Sequence, residues 1–570
     1  MSIFTKLPNL SAPWSHVSRG PVSSYFNMQQ GSKRSRKRKL DILAFFLFTG
    51  LTLGLQWAAG AYSSEAAHFA DESAHFITAL LIRDYVTSGF SETPIHYAQR
   101  YYVHYPKIAF GMWPPLFHLV LGAWLVPTPD GRVSALLLMG LVLASAAFVL
   151  YWCLHDEYGR MAGIFVGMLL ICLPLSQKLT NCIMADTLVM LLGVLSALAL
   201  SRFLAMSKPR YAVLMGVAIG LGCMTKGNSM GALLAPPLAI LLTQSFHVLR
   251  KPALYWSAAI VVVLGFPFEL RSLFLYQRHS SFMQAGWRFS QFAGHFYSSM
   301  LYAILGILLC ALILIGLLVK AVAIARKERG FELWASMGSL ALGVLVFHVV
   351  WPQPPDGRYM LAAAAPLLLF VVPAAEWLTR LVQNRIPSAQ FRVTAALATI
   401  FLVFLISVFH LQRMPQFGFR EAAAWVHSRL GDRSLIISDA SGEGGYISEM
   451  ANQCGGNRFN ETVVRGSKLL ATSDWNGNYY KLTHAGPESA LADIEELGIR
   501  YIVLDRSATI IPGSHRDQVI QMLVVAPDRL RLVGRVSLAR ILEIYEVTRA
   551  SVPPEKKIAY QMDDGQKIGE

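Results

Sequence analysis

Between Asp41 and Met414 the chain is a succession of apolar runs separated by short polar connections. A helix needs about 20 apolar residues to cross the hydrocarbon core of a bilayer. Inside lipid every backbone N–H and C=O must be satisfied within the protein, so such runs cross as helices rather than open strands. This feature excludes a soluble single-core fold for the first two thirds of the chain. Composition agrees: 54% of the 570 residues are hydrophobic and 15% are charged, whereas soluble domains carry nearer a quarter charged residues. The chain reads as an α-helical polytopic membrane protein.

The net charge of +15 is read as topology, because Lys and Arg collect on the cytoplasmic side of a membrane. The basic residues are divided among short loops, which leaves membrane lipids as partners and gives no nucleic-acid surface. Residues 1–39 form a basic tail ending in KRSRKRK. It anchors the N-terminus in the cytoplasm and sends the first span, 42–62, outward. That run starts too late and is too long for a cleaved secretory signal. The run Trp113–Val126 is short for a span and reads as a juxtamembrane helix. Parity then gives spans at 131–154, 160–176, 187–205, 211–224, 229–247, 254–270, 299–320, 331–351, 359–379 and 392–411, about eleven in all. The basic connections at Arg202 to Arg210, Arg250 and Lys251, Arg326 to Arg329, and Arg380 to Arg385 all fall inside. The connections 177–186, 225–228, 271–298 and 352–358 fall outside with the 63–130 loop.

After Met414 the composition becomes mixed. SLIISDA (434–440), RYIVLDR (500–506) and RILEIYEV (540–547) read as strands, and 420–430 and 488–498 as helices. Residues 415–570 are therefore expected to be an extracytoplasmic α/β domain following a 40–414 transmembrane module. Gly442-x-Gly444-Gly445 lacks the spacing of a dinucleotide loop and reads as an ordinary loop. The six cysteines form no CxxC pair, so no zinc module or disulfide framework is indicated; a Cys182–Cys454 bridge has nothing to support it.

The ionisable residues of the outward connections carry the candidate chemistry. Asp71 and Glu72 are adjacent near an outer helix start. A carboxylate there suits the helix dipole, or serves as a general base for an acceptor hydroxyl. His68, Asp71 and His75 stand at i, i+3 and i+7, a helical face that could hold a divalent cation. Asp186 is either an N-cap or a second acid at a bundle mouth. Lys226, Arg358 and Tyr359 start outer helix ends, either snorkelling to headgroups or clamping a lipid phosphate. Lys107 lies in the same outer loop.

The order of DE, YYVHYP, PPLF, NCIMADTL, MTKG and GRYMLAAAAPLL resembles the GT-C fold glycosyltransferases, in the branch of protein O-mannosyltransferases and aminoarabinose transferases. The resemblance covers roughly residues 40–380. It implies a polyprenyl-phosphate sugar donor, inversion at the anomeric carbon, and a lipid, glycan or protein acceptor at a bacterial inner membrane. It further implies that Asp71 is the leading catalytic acid, with Glu72 beside it and Asp186 as the second-loop acid. Arg358, Tyr359 and Lys226 would bind the lipid phosphate, with Lys107 nearby. Aminoarabinose transferases carry an acid and a lysine just before the Pro pair, where this chain has Met112 and Trp113. The alternatives are a transporter or flippase of a lipid-linked sugar, or a non-catalytic envelope assembly protein. Transporters place broken helices and polar groups at mid-membrane, whereas here the ionisable residues gather at helix mouths.

Overall fold

The computed structural model describes residues 23–108, 113–128, 131–279, 286–381, 389–429, 432–454, 459–473, 479–561 and 567–569. The chain divides into two units, Met1–Leu47 and Phe48–Glu570. The described part of the first is helical from Ser23.

Seven helices among the described residues are long and apolar enough to cross a membrane: Arg38–Ala58, Gly131–Leu154, Asp186–Met206, Pro252–Arg271, Trp287–Ala325, Phe331–Val350 and Gln390–Ser407. Two bent pairs, Arg160–Cys172 with Pro174–Thr180 and Gly357–Leu368 with Val371–Leu381, raise this to nine if each is one span. The shorter apolar helices Pro209–Thr225 and Gly227–Thr243 stand where spans are expected at 211–224 and 229–247. Leu116–Leu125 is a ten-residue helix with Pro115 as its N-cap, so the Pro pair stops one residue short of the N1 position. Met112 and Arg385 lie outside the described residues.

Lipid offers no hydrophobic force to join one helix to another, so association rests on close packing at small residues. Gly163 and Gly167 supply this one turn apart. A Cβ on Gly163 would meet Tyr151 at 2.8 Å, and one on Gly167 would meet Phe48 at 2.4 Å and the Ala147 carbonyl at 3.2 Å. Gly216 and Gly220 repeat the arrangement against Ser257 and Leu264.

The connections sort into two groups. Asn181 Nδ2 donates to the Gln412 carbonyl at 3.2 Å, and Met414 N to the Ala59 carbonyl at 2.8 Å. Elsewhere, Lys320 Nζ bonds Glu157 Oε1 at 2.9 Å. The first group joins segments at the expected outward ends of the spans 42–62 and 392–411 and the connection 177–186; the second joins the expected inward end of the span 299–320 to the connection after 131–154.

The C-terminal part carries a five-stranded sheet in the order Thr462–Arg465, Arg433–Ile437, Tyr501–Asp505, Ile541–Val547, Leu530–Ser537. The first three strands are parallel and the last two add antiparallel. The expected strands and helices are all present. Gly442-x-Gly444-Gly445 departs from expectation: it is not a loop but the start of the Ala440–Gln453 helix. Asp439 caps this helix by accepting from Ser441 N and Gly442 N at 3.1 and 2.8 Å. Each glycine costs a helix about 1 kcal/mol of propensity, and here the reason is proximity. A Cβ on Gly444 would sit 2.0 Å from Ser73 Oγ, and one on Gly445 2.7 Å from Ala67 Cβ. The helix thus lies directly on the Ala70–Thr87 helix of the 63–130 connection. All six cysteines are free thiols, so there is no Cys182–Cys454 bridge.

Candidate active site

Four connections meet at one place. Asp71 lies in the first turn of the Ala70–Thr87 helix, whose N-cap is Phe69. Arg358 arrives from the short Gly357–Met360 turn, and its Nη2 lies 2.7 Å from Asp71 Oδ2. Asp356 steadies that turn: its carboxylate accepts Arg358 N at 3.0 Å and lies 2.8 Å from Arg358 Nε. Asp186 begins the Asp186–Met206 helix, but Ala185 is the N-cap. Its two carboxylate oxygens instead take Lys226 Nζ at 3.0 and 2.9 Å, and Asn228 Nδ2 comes to 3.4 Å.

Tyr359 links the two ion pairs. Lys226 Nζ and Arg358 Cζ lie 5.4 and 5.7 Å from its ring centre, within cation–π range. Its other neighbour is His348, stacked at 4.9 Å and 11°. Asp186 and Arg358 are also close enough to interact electrostatically. Exposed Lys178 adds a third cation, its Nζ 4.9 Å over the Phe69 ring. Of the two acids, Asp71 is 31% exposed and Asp186 2%. Asp71 is therefore the one a hydroxyl from solution can reach.

One helical turn on from Asp71, His75 joins a cluster of aromatic rings. The His75 ring lies 4.3 Å from that of Trp113, and His75 Nδ1 lies 2.9 Å from His118 Nε2. Burial, then His118, Lys226 and Arg358, push His75 well below its ordinary pKa. Its Nε2 is buried without a hydrogen-bond partner among the described residues.

Glu72 separates from its neighbour Asp71. It is fully buried, and its carboxylate accepts Arg132 Nη2 at 3.1 Å, Ile183 N at 3.3 Å and His68 N at 3.1 Å. Arg132, also buried, bonds the Ala61 carbonyl at 2.8 Å and the Glu65 carbonyl at 3.2 Å. Successive helical residues point about 100° apart, so one acid faces Arg358 and the other ties the 63–130 connection to Arg132 and Ile183. Expected beside Asp71 in the reaction, Glu72 has the geometry of a positioning residue.

The metal face expected at His68, Asp71 and His75 does not form. The helix starts at Ala70, so His68 lies outside the helical register. Its ring packs at 4.8 Å on Phe417, and burial, helped by Arg132, Lys178 and Arg540, pushes its pKa down to about 3. Lys107 reaches the Ala440 carbonyl at 3.2 Å. Burial and then Arg465 lower its pKa to about 7 against the opposing pull of Glu443 and Asp71.

Glu269 borders the same place and is absent from the residues picked out in the sequence. Its Oε2 would lie 2.9 Å from a Cβ on Gly227, beside Lys226, and its Oε1 is buried without a partner among the described residues. The signal was legible: it is the only charged residue within the apolar run 254–270, and such residues invite a functional reading.

Residues 114–269 match the family model of dolichyl-phosphate-mannose-protein mannosyltransferases. Among curated proteins none matches the sequence. The fold is that of ArnT from Cupriavidus metallidurans in its undecaprenyl phosphate complex, with TM-score 0.54 at 12% identity over 89% of this chain and 98% of that one. The same protein in its apo state gives 0.51 at 13% identity over 88% and 97%. The chain is a membrane glycosyltransferase of the GT-C fold.

Proposed function

We propose that this glycosyltransferase moves a sugar from a polyprenyl-phosphate carrier to an acceptor hydroxyl, with inversion, on the outer face of a bacterial inner membrane. The observation that carries the reading is the Arg358–Asp71 pair at 2.7 Å, set beside the Asp186–Lys226 pair at 2.9 Å. A donor whose leaving group is a phosphate needs fixed positive charge where charge accumulates. Arg358, Lys226 and rim Lys178 supply it. The ArnT complex with undecaprenyl phosphate supports a carrier of this chemical class.

Asp71 takes the proton from the attacking hydroxyl, the partly exposed carboxylate being the one an acceptor can approach. As phosphate binds, Arg358 exchanges Asp71 for the phosphate oxygens, which frees the carboxylate to act as base. Asp186 remains with Lys226 and Asn228 and fixes the lysine's direction. Attack from the side opposite the departing phosphate gives inversion. Positive-inside counting supports an outer position for the site, and the packing of the Ala440–Gln453 helix on the Ala70–Thr87 helix supports the same side for the 415–570 domain. Lipid, glycan or protein hydroxyls all fit the chemistry.

The test is transfer from a polyprenyl-phosphate sugar by purified Asp71→Asn. Removing a general base costs about 10²–10⁴-fold, and donor binding should survive. Wild-type turnover in this variant would refute the assignment.

A further inference from the structure

The structure does bring a set of metal-binding side chains together, but in the C-terminal domain. His427, Cys454 and Glu461 place one ligand atom each within 4.8 Å of one another. They come from three elements: the last residue of the Phe419–His427 helix, the C-cap of the Ala440–Gln453 helix, and the approach to the Thr462–Arg465 strand. Glu461 lies at the centre. Its Oε1 is 2.5 Å from His427 Nδ1, and its Oε2 accepts from Cys454 Sγ at 3.0 Å. Cys454 and Glu461 are buried, while the His427 side chain is 44% exposed.

We propose that these three residues form a site for a thiophilic divalent cation of the zinc class. The donor set, one thiolate, one imidazole and one carboxylate, suits zinc and not magnesium or calcium, which take oxygen ligands. Zinc-to-ligand bonds of about 2.0–2.3 Å in a tetrahedron put ligand atoms roughly 3.3–3.8 Å apart. The three atoms need only small rotations to reach that spacing. The exposed edge of His427 gives the ion a way in and leaves the fourth position to water. On coordination the Cys454 thiol gives its proton to solvent and its sulfur lone pair to the metal, with no change of oxidation state.

The site also touches the outer loop. His104, ending the Pro94–His104 helix, bonds the Glu461 carbonyl and Thr462 Oγ1, each at 2.9 Å. A bound ion therefore stiffens the seat on which that helix rests.

The experiment uses the full-length, tag-free chain in detergent under argon. Cobalt(II) is titrated, then displaced with zinc(II), and the thermal midpoint is followed in parallel. Expected are one equivalent of cobalt with a thiolate-to-cobalt charge-transfer band, its bleaching by zinc, and a raised midpoint. Cys454→Ser abolishes the band. His427→Ala, at a half-exposed position where folding is safe, weakens binding at least tenfold. Cobalt bound without the charge-transfer band, no stoichiometric binding, or equal affinity in wild type and His427→Ala would each overturn the proposal.

Discussion

Arg358 is the side chain on which the candidate chemistry converges, because it pairs with Asp71, the proposed base, and lies beside the Tyr359 ring that also meets Lys226. Arg358→Lys keeps the charge and loses the planar fork. A charge-assisted hydrogen bond contributes about 1.5–3 kcal/mol, so kcat/KM should fall about 10–100-fold in steady-state transfer assays. A variant at wild-type efficiency would show that only charge matters there. Lys107 makes a pH prediction. Its folded-state pKa is depressed to about 7, so it is charged below that pH and neutral above it. If it contributes to the donor phosphate field, the donor KM rises as pH passes upward through about 7, and Lys107→Arg removes the rise. The stability sign is fixed by the same shift. Between about 7 and the ordinary lysine pKa near 10.4 the unfolded chain binds the extra proton, so this group makes stability increase with pH across that window. A pH series of thermal midpoints for wild type and Lys107→Met checks it.

The informative pair of elements is the Ala70–Thr87 helix and the Ala440–Gln453 helix. Gly444 in the second lets the two backbones approach at Ser73, two residues along the helix from Asp71. Gly444→Ala would drive a methyl into Ser73 Oγ, 2.0 Å away, and toward Lys107 Cε at 3.1 Å. Overpacking of this kind costs about 1–3 kcal/mol. The thermal midpoint should drop and kcat should fall with it, while Gly486→Ala, where a Cβ meets nothing within 4 Å, serves as the control. An unchanged midpoint for Gly444→Ala would mean that the helices separate easily. The same contact explains why Gly444 and Gly445 look like a loop in the sequence: each makes room for a neighbour more than 300 residues away.

Across the whole molecule, the C-terminal domain and the 63–130 connection are interlocked. Glu65 accepts Phe417 N and Gly418 N at 2.8 and 2.7 Å, Arg420 bonds the Ser64 carbonyl at 3.2 Å, and Arg465 bonds the Pro106 carbonyl at 3.3 Å. A chain ending at Met414 should therefore lose both thermal stability and transfer; full transfer by that truncation, read in a donor-turnover assay, would separate the two halves. By itself the sequence determined the helical membrane class and the C-terminal strands, and it singled out five residues that the structure brings together: Asp71, Asp186, Lys226, Arg358 and Tyr359. Those follow from local periodicity, apolar length and charge at helix mouths, properties each segment carries alone. Only the tertiary structure decided that Glu72 turns to Arg132 while Asp71 turns to Arg358. It alone removed His68 from the helical face, and gathered His427, Cys454 and Glu461. These outcomes depend on where a helix begins and on which distant segment meets each of its faces, and neither is encoded within one window of sequence.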